Sequence, residues 1–168
     1  IGVIADDSAN PVYLAADLLS QAEHDPRARA IMVTTSESLA NAVSDEVERQ
    51  LKLLPRESIA RPAIENNSYI AVMDSVEDMF TVMNEVAPEH LEIQLPDPMG
   101  YMSLVQNAGS VFLGAYASEP LGDYVGGTNH VLPTSGTARF SSPLGVYDFV
   151  KRTSFTQFTK ERLEEVAT

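Results

Sequence analysis

Each of the three histidines in this chain stands next to a residue whose side chain carries oxygen, and the first of them ends a helical pattern. Gln21 and His24 are three positions apart in that pattern, so both side chains would project from one face of a helix. An amide oxygen, a neutral imidazole and a carboxylate are ligands that a borderline divalent cation such as zinc accepts. Gln21 and His24 are therefore candidate metal ligands. The alternative is a solvated helix end, at which His24 interacts with the helix dipole.

The second histidine directly follows a glutamate, in a pair that precedes a predicted strand. Imidazole titrates near neutral pH, and partial burial shifts a glutamate toward the same range. Glu89 and His90 are therefore candidates for shared acid and base work at a turn between a helix and a strand. The alternative is a surface turn with one histidine at the start of the strand.

Two further candidates lie in the segment 115–142, which is rich in Gly, Ser, Thr and Pro and has no clear periodicity. Loops of this length in a compact domain are commonly functional or disordered. Ligands of open parallel sheets bind at the carboxyl ends of the strands, so we expect Asp123 there, and Gln21 to His24 with it if their helix folds back. His130 follows two glycines, which would let the backbone approach a ligand closely. An ordinary turn aspartate and a flexible loop are the alternatives.

Composition excludes several classes of function. The formal net charge of -13, from 24 acidic and 11 basic residues, argues against a nucleic acid or an anionic membrane as partner. The absence of cysteine excludes disulfides and thiolate metal sites, and it favours a cytoplasmic enzyme. No apolar run approaches the ~20 residues that a membrane-spanning helix needs.

Short apolar runs alternate with helical patterns along most of the chain. The runs of strand length are 2–5, 30–33, 69–72, 90–95 and 109–114. The predicted helices begin after Asn10, Ser36 and Ser75, and at Pro98. This order predicts an α/β, Rossmann-like layered domain with a largely parallel sheet over 1–142, followed by the start of a C-terminal tail or extension over 143–168.

Some details of these elements are specific. The second helix is expected to stop at Pro55, and the strand 90–95 alternates polar and apolar residues, which predicts one wet face. No Gly-x-Gly-x-x-Gly follows the first strand, and Asp6 and Asp7 in its turn would repel a pyrophosphate, so a dinucleotide is not expected there. The expected apolar stripe of the first helix is Val12, Ala15, Ala16, Leu18 and Leu19.

Four separate segments resemble histidinol dehydrogenase, and the resemblance extends over essentially the whole chain. These segments are 17–24, 87–91, 122–124 and 127–134. The resemblance implies oxidation of L-histidinol through L-histidinaldehyde to L-histidine, the last steps of histidine biosynthesis, with zinc and NAD as cofactors. It also implies L-histidinol as the small-molecule partner and a homodimer for the full-length protein.

The same resemblance implies a role for each candidate residue. Gln21, His24 and Asp123 match zinc ligands, and the metal would hold the substrate rather than activate water. His90 matches a base that takes the hydroxyl proton, and Glu89 matches the residue that activates water on the bound aldehyde. The residues expected to contact the substrate are Gln21, His24, His90, Asp123 and His130.

The chain begins with Ile1 rather than Met and ends within a helical pattern, so we expect a fragment of a longer protein. The resemblance implies that most NAD contacts and a fourth zinc ligand lie outside these residues, and we expect the isolated fragment to be inactive. A zinc-dependent hydrolase and a non-catalytic α/β binding domain are the alternative functions. A hydrolase would need no nicotinamide. A binding domain with degenerate chemistry would lack at least one of five residues, all of which are present: Gln21, His24, Glu89, His90 and Asp123.

Overall fold

Five strands form one parallel sheet, as the alternation of elements predicts. They are β1 (Gly2–Ala5), β2 (Ile31–Thr34), β3 (Tyr69–Val72), β4 (His90–Gln94) and β5 (Ser110–Leu113). The strand order is β3-β2-β1-β4-β5, and every neighbouring pair is parallel. The structure is a computed structural model whose description covers residues 1–167, without the side chain of Asp123. The predicted fold class is confirmed.

Helices connect the strands and cover the sheet. They are α1 (Pro11–Ala22), α2 (Glu37–Leu51), α3 (Glu57–Asn67), α4 (Val76–Val86), α5 (Glu119–Tyr124) and α6 (Lys160–Val166). The side chains of Asn10, Ser36 and Ser75 accept hydrogen bonds from the first backbone N–H groups of α1, α2 and α4, as predicted. No helix within residues 1–167 is long and apolar enough to cross a membrane.

Several predicted boundaries differ from the structure. Helix α2 ends at Leu51 instead of reaching Pro55, and the segment predicted as a helix from Pro98 forms a 3-10 helix over Pro98–Leu104. Helices α3 and α5 were not predicted. Helix α3 contains Pro62 in its interior, where proline normally ends a helix, and helix α5 has only six residues.

The sheet separates two apolar layers. On one face, Val3 and Met32 pack against α1, α2 and α3, and on the other face Ile4 and Ile93 pack against α4. The predicted stripe of α1 is partly wrong, since Val12 and Ala16 are exposed. The buried residues of this helix are Leu14, Ala15, Leu18, Leu19 and Ala22. Because α1 packs against both the sheet and α2, its buried stripe includes Leu14 and Ala22 in place of Val12 and Ala16.

Strand β4 has no wet face, contrary to the prediction from its alternating sequence. His90, Glu92 and Gln94 are 5%, 1% and 9% exposed. They point to the same face as Val3 of β1, which is the face that α1 covers. A row of buried polar side chains therefore lies between β4 and α1.

Candidate functional site

The candidate residues that the structure brings together lie at the amino-terminal edge of the sheet, whereas Gln21 to His24 were expected at the carboxyl edge. Helix α1 returns antiparallel to β1, so its end carries Gln21 and His24 back to the level at which the strands begin. Glu89 and His90 lie at this edge because they immediately precede and start β4. The prediction for Gln21 to His24 is corrected by topology, because a helix that folds back from the end of β1 ends at the level where the strands begin.

Gln21 and His90 face each other across this edge. The distance from Gln21 Oε1 to His90 Nδ1 is 3.4 Å, and Gln21 Oε1 also accepts a hydrogen bond from the backbone nitrogen of Ile1 at 3.3 Å. The ring of His90 lies 6.0 Å from the ring of Phe112 of β5, at an angle of 48°. An amide acceptor at Nδ1 favours the tautomer whose Nε2 carries the lone pair.

A carboxylate from α5 approaches the other nitrogen of this imidazole. Glu119 Oε1 lies 3.6 Å from His90 Nε2, and both side chains are largely buried. Glu119 was not predicted as a site residue, although Ser118 followed by Pro120 is a start signal for a short helix. A carboxylate at this distance stabilises positive charge on the imidazole.

His24 is exposed at the end of α1, where its ring has one fixed hydrogen bond. His24 Nδ1 lies 2.7 Å from the carbonyl oxygen of Ser20, which can only accept, so Nδ1 carries the proton. The Nε2 lone pair is then available to a metal ion, and a backbone carbonyl on the second nitrogen is the usual arrangement of a metal-binding histidine. Among the described side chains, no group of three His, Cys, Asp or Glu residues is placed to hold a metal.

The two remaining candidates lie in or after α5. Asp123 belongs to this helix by its backbone, but its side chain lies outside the described part of the structure, so its role as a ligand stays a prediction. His130 lies in the exposed segment that follows α5. Its approach to the substrate also stays a prediction.

Glu89 is half-buried beside a cavity of about 190 Å³. Ala87 ends α4 in the left-handed conformation, with φ of 49°, and so turns the chain toward β4. The backbone of Glu89 is fixed by a hydrogen bond of 2.9 Å from the Ser110 amide to its carbonyl oxygen. The cavity is lined by Ile1, Gln21, Arg29, Glu89, Thr134 and Ser135, among others. It has the volume for a small polar molecule next to the Gln21–His90 contact.

Gly109 is the residue that allows β5 to approach this turn. A Cβ at position 109 would lie 2.5 Å from the Glu89 carbonyl oxygen and 3.2 Å from Pro133 Cδ. We expect Gly109→Ala to lower the free energy of unfolding by about 1–3 kcal/mol, because the backbone of Glu89 must move. Urea denaturation of the full-length protein measures this loss. In the control Gly145→Ala, the nearest atoms are 3.9 Å away and φ is -134°, so we expect almost no change. Equal effects of the two substitutions would contradict the close approach at position 109.

A second polar contact lies deeper in the same interface, between Asp17 of α1 and Glu92 of β4. Burial, followed by repulsion from Asp17, raises the pKa of Glu92 to about 8. Burial also raises the pKa of Asp17. Glu92 was predicted to lie on a solvent-exposed face of its strand, and Asp17 was not among the candidate residues. The site therefore contains three acidic residues that were not predicted, Asp17, Glu92 and Glu119.

Comparison with known proteins gives a consistent match. The family model described as histidinol dehydrogenase matches residues 1–168. Histidinol dehydrogenase from Lactiplantibacillus plantarum is 68% identical over 167 residues, which are 99% of this chain and 39% of that protein. The corresponding protein from Streptococcus mutans is 64% identical over 95% of this chain and 38% of its own length. A crystal structure of histidinol dehydrogenase from Elizabethkingia anophelis superposes with a TM-score of 0.87 at 43% identity, over 98% of this chain and 38% of that chain.

Proposed function

Because the chain belongs to the histidinol dehydrogenase family, we propose that the full-length protein oxidises L-histidinol through L-histidinaldehyde to L-histidine, the last steps of histidine biosynthesis. The chain spans 38–39% of the relatives it matches, so this activity is proposed for the longer protein. The observation that supports it most is the contact between Gln21 and His90, which joins the proposed metal face of α1 to the proposed base. A homodimer and a cytoplasmic location belong to the same proposal.

The residues at the end of α1 fit zinc. Gln21 offers an amide oxygen, which would accept zinc in place of the 3.3 Å hydrogen bond from Ile1, and His24 offers Nε2 from a ring that Ser20 orients. Asp123 would complete the set from this chain. Zinc at these residues would hold the substrate through its imidazole and amine.

His90 is the proposed base for the hydroxyl proton. Gln21 Oε1 lies 3.4 Å from Nδ1 and favours the tautomer with its proton there, so Nε2 is the nitrogen that would accept the substrate proton. Glu119, 3.6 Å from Nε2, stabilises the imidazolium that results. The burial of His90 limits competition from water for this nitrogen.

Glu89 is the proposed base that activates water on the bound aldehyde, before the second oxidation. Its half-buried side chain lies beside the cavity, and its backbone is held by β5. A carboxylate at this place would take a proton from water that attacks the bound aldehyde, which gives the hydrate needed for oxidation to a carboxylic acid. Retaining the aldehyde in a closed site prevents side reactions of this intermediate.

NAD is proposed as the hydride acceptor from the family alone. The turn between β1 and α1 does not fit a dinucleotide, because it carries Asp6 and Asp7 and lacks the glycine pattern that admits a pyrophosphate. Asp6 instead accepts hydrogen bonds from the backbone and the side chain of Ser8. We therefore assign no NAD contact to this chain.

Reduction of NAD by the zinc-loaded full-length protein with L-histidinol tests the proposed function. We expect His24→Ala to lower zinc affinity by about 10²-fold or more, because the substitution removes an imidazole ligand, and to lower NADH formation with it. Elemental analysis and absorbance of NADH measure the two losses. Glu23→Ala, next to His24 on the same helix end, is the matched control and should retain zinc. Absence of NADH formation by the zinc-loaded wild-type protein would contradict the proposal.

A further inference from the structure

Two pairs of neighbouring side chains link α1 to β4, and each pair is called a rung. Gln21 and His90 form the outer rung, and Asp17 and Glu92 form the inner rung. Gln21 and Asp17 are four residues apart on one face of α1, which corresponds to about 6 Å along a helix. His90 and Glu92 are two residues apart on one face of β4, which corresponds to about 6.6 Å along a strand. The Gln21–His90 contact and the Asp17–Glu92 contact therefore join the same two elements at nearly equal spacing.

The inner rung consists of two acids, and one of them has almost no access to water. Glu92 is 1% exposed, and its Oε2 accepts a hydrogen bond of 3.3 Å from Gln94 Nε2. Among the described side chains, none donates a hydrogen bond to Glu92 Oε1, which is fully buried. An ionised carboxylate with a buried oxygen that accepts nothing is strongly unfavourable. A protonated carboxyl group removes this penalty because it donates from that oxygen.

Asp17 provides the acceptor for such a proton. Its side chain lies within hydrogen-bonding reach of Glu92. The carboxylate of Glu119 in α5 is close enough to repel negative charge on both groups. With three acids facing one another, a proton on the most buried of them relieves the repulsion. The raised pKa of Glu92 agrees with this distribution, since burial favours the neutral form.

We infer that Asp17 and Glu92 share one proton in a carboxyl–carboxylate hydrogen bond, and that this bond positions Gln21 opposite His90. Both acids are positioning residues, because neither lies at the proposed reacting atoms. The Asp17–Glu92 bond fixes the position of α1 along β4. That position in turn sets the distance between Gln21 and His90. The effect on catalysis rests on the proposed function, whereas the shared proton does not.

The pH dependence of stability tests the shared proton without any activity. Because the folded protein holds the Glu92 proton more tightly than the unfolded chain, stability falls as pH rises from about 4.5 to about 8. Glu92→Gln keeps a donor and cannot titrate, so we expect the thermal midpoint of this full-length variant to fall less than that of the wild type between about pH 5 and about pH 8. The exposed Glu85→Gln is the matched control and should follow the wild type. Parallel curves for Glu92→Gln and the wild type would overturn the inference.

Kinetics with zinc-loaded protein test the positioning role. Glu92→Gln should keep kcat within about threefold of the wild type, whereas Glu92→Leu, which fills similar space without a hydrogen bond, should lower kcat by about tenfold or more. An equal loss of kcat in the two variants, or a wild-type kcat in Glu92→Leu, would overturn the positioning role of Glu92.

A third variant keeps the kinetic test decisive if Glu92→Leu does not fold. Asp17→Asn also retains a donor between the two side chains and should keep kcat within about threefold. A loss of about tenfold in Asp17→Asn or Glu92→Gln would count against positioning by the hydrogen bond. A wild-type protein without histidinol oxidation would refute the proposed function alone, since the pH test would still decide the shared proton.

Discussion

Replacing His90 by Asn in the full-length protein is expected to lower kcat by about 10²–10⁴-fold for both oxidations. Asparagine retains hydrogen-bonding groups toward Gln21 and Glu119, but from the position of Nε2 it cannot take the hydroxyl proton that the alcohol loses in the first oxidation or the one that the aldehyde hydrate loses in the second. Single-turnover formation of NADH, started from L-histidinol and separately from L-histidinaldehyde, measures both steps.

Zinc content and the thermal midpoint are the controls for this substitution. If both are unchanged, the lower kcat results from the missing imidazole and not from a disturbed fold or metal site. Added imidazole should restore part of the rate if the missing group is a base. A variant with kcat within tenfold of the wild type would show that His90 is not the base.

Glu89→Gln is expected to separate the two oxidations. The first step uses His90 and should proceed at nearly the wild-type rate, whereas the second needs a carboxylate to activate water and should slow by about 10²–10⁴-fold. The bound aldehyde should therefore accumulate in single-turnover experiments. Glutamine preserves the size of the side chain, and the hydrogen bond from Ser110 to the backbone of residue 89 is unaffected. Equal loss of both steps would contradict the division of roles between Glu89 and His90.

Local patterns were sufficient for most of the fold. The apolar runs at β1 and β2 are buried on both faces, which is why they read as continuous hydrophobic segments. Ser36 and Ser75 mark helix starts because their side chains accept from backbone amides that would otherwise lack a partner. Helix α3 was missed because its stability depends on packing of Ala60 and Ala63, and small residues give little periodic signal.

The proximity of Gln21 and His90 was predicted better than its place in the fold, whereas the roles of the candidate residues stay predictions. Gln21, Glu89 and His90 converge as their motifs suggested, but at the amino edge of the sheet, because the edge depends on the direction of α1 and not on local sequence. Glu92 was read as solvent-exposed because its strand alternates polar and apolar residues. Burial on both faces, typical of a central parallel strand, overrides this pattern, and it explains why the paired acids were not recognised.

Gln21 and His24 are proposed to hold a metal ion in front of the Glu89–His90 turn. An anomalous difference map at the zinc edge, from crystals of the full-length protein with L-histidinol, shows whether they do. We predict one strong peak about 2.0–2.2 Å from both Gln21 Oε1 and His24 Nε2, with Asp123 as a further ligand. A zinc peak bound elsewhere, with Gln21 and His24 outside its coordination shell, would contradict the claim.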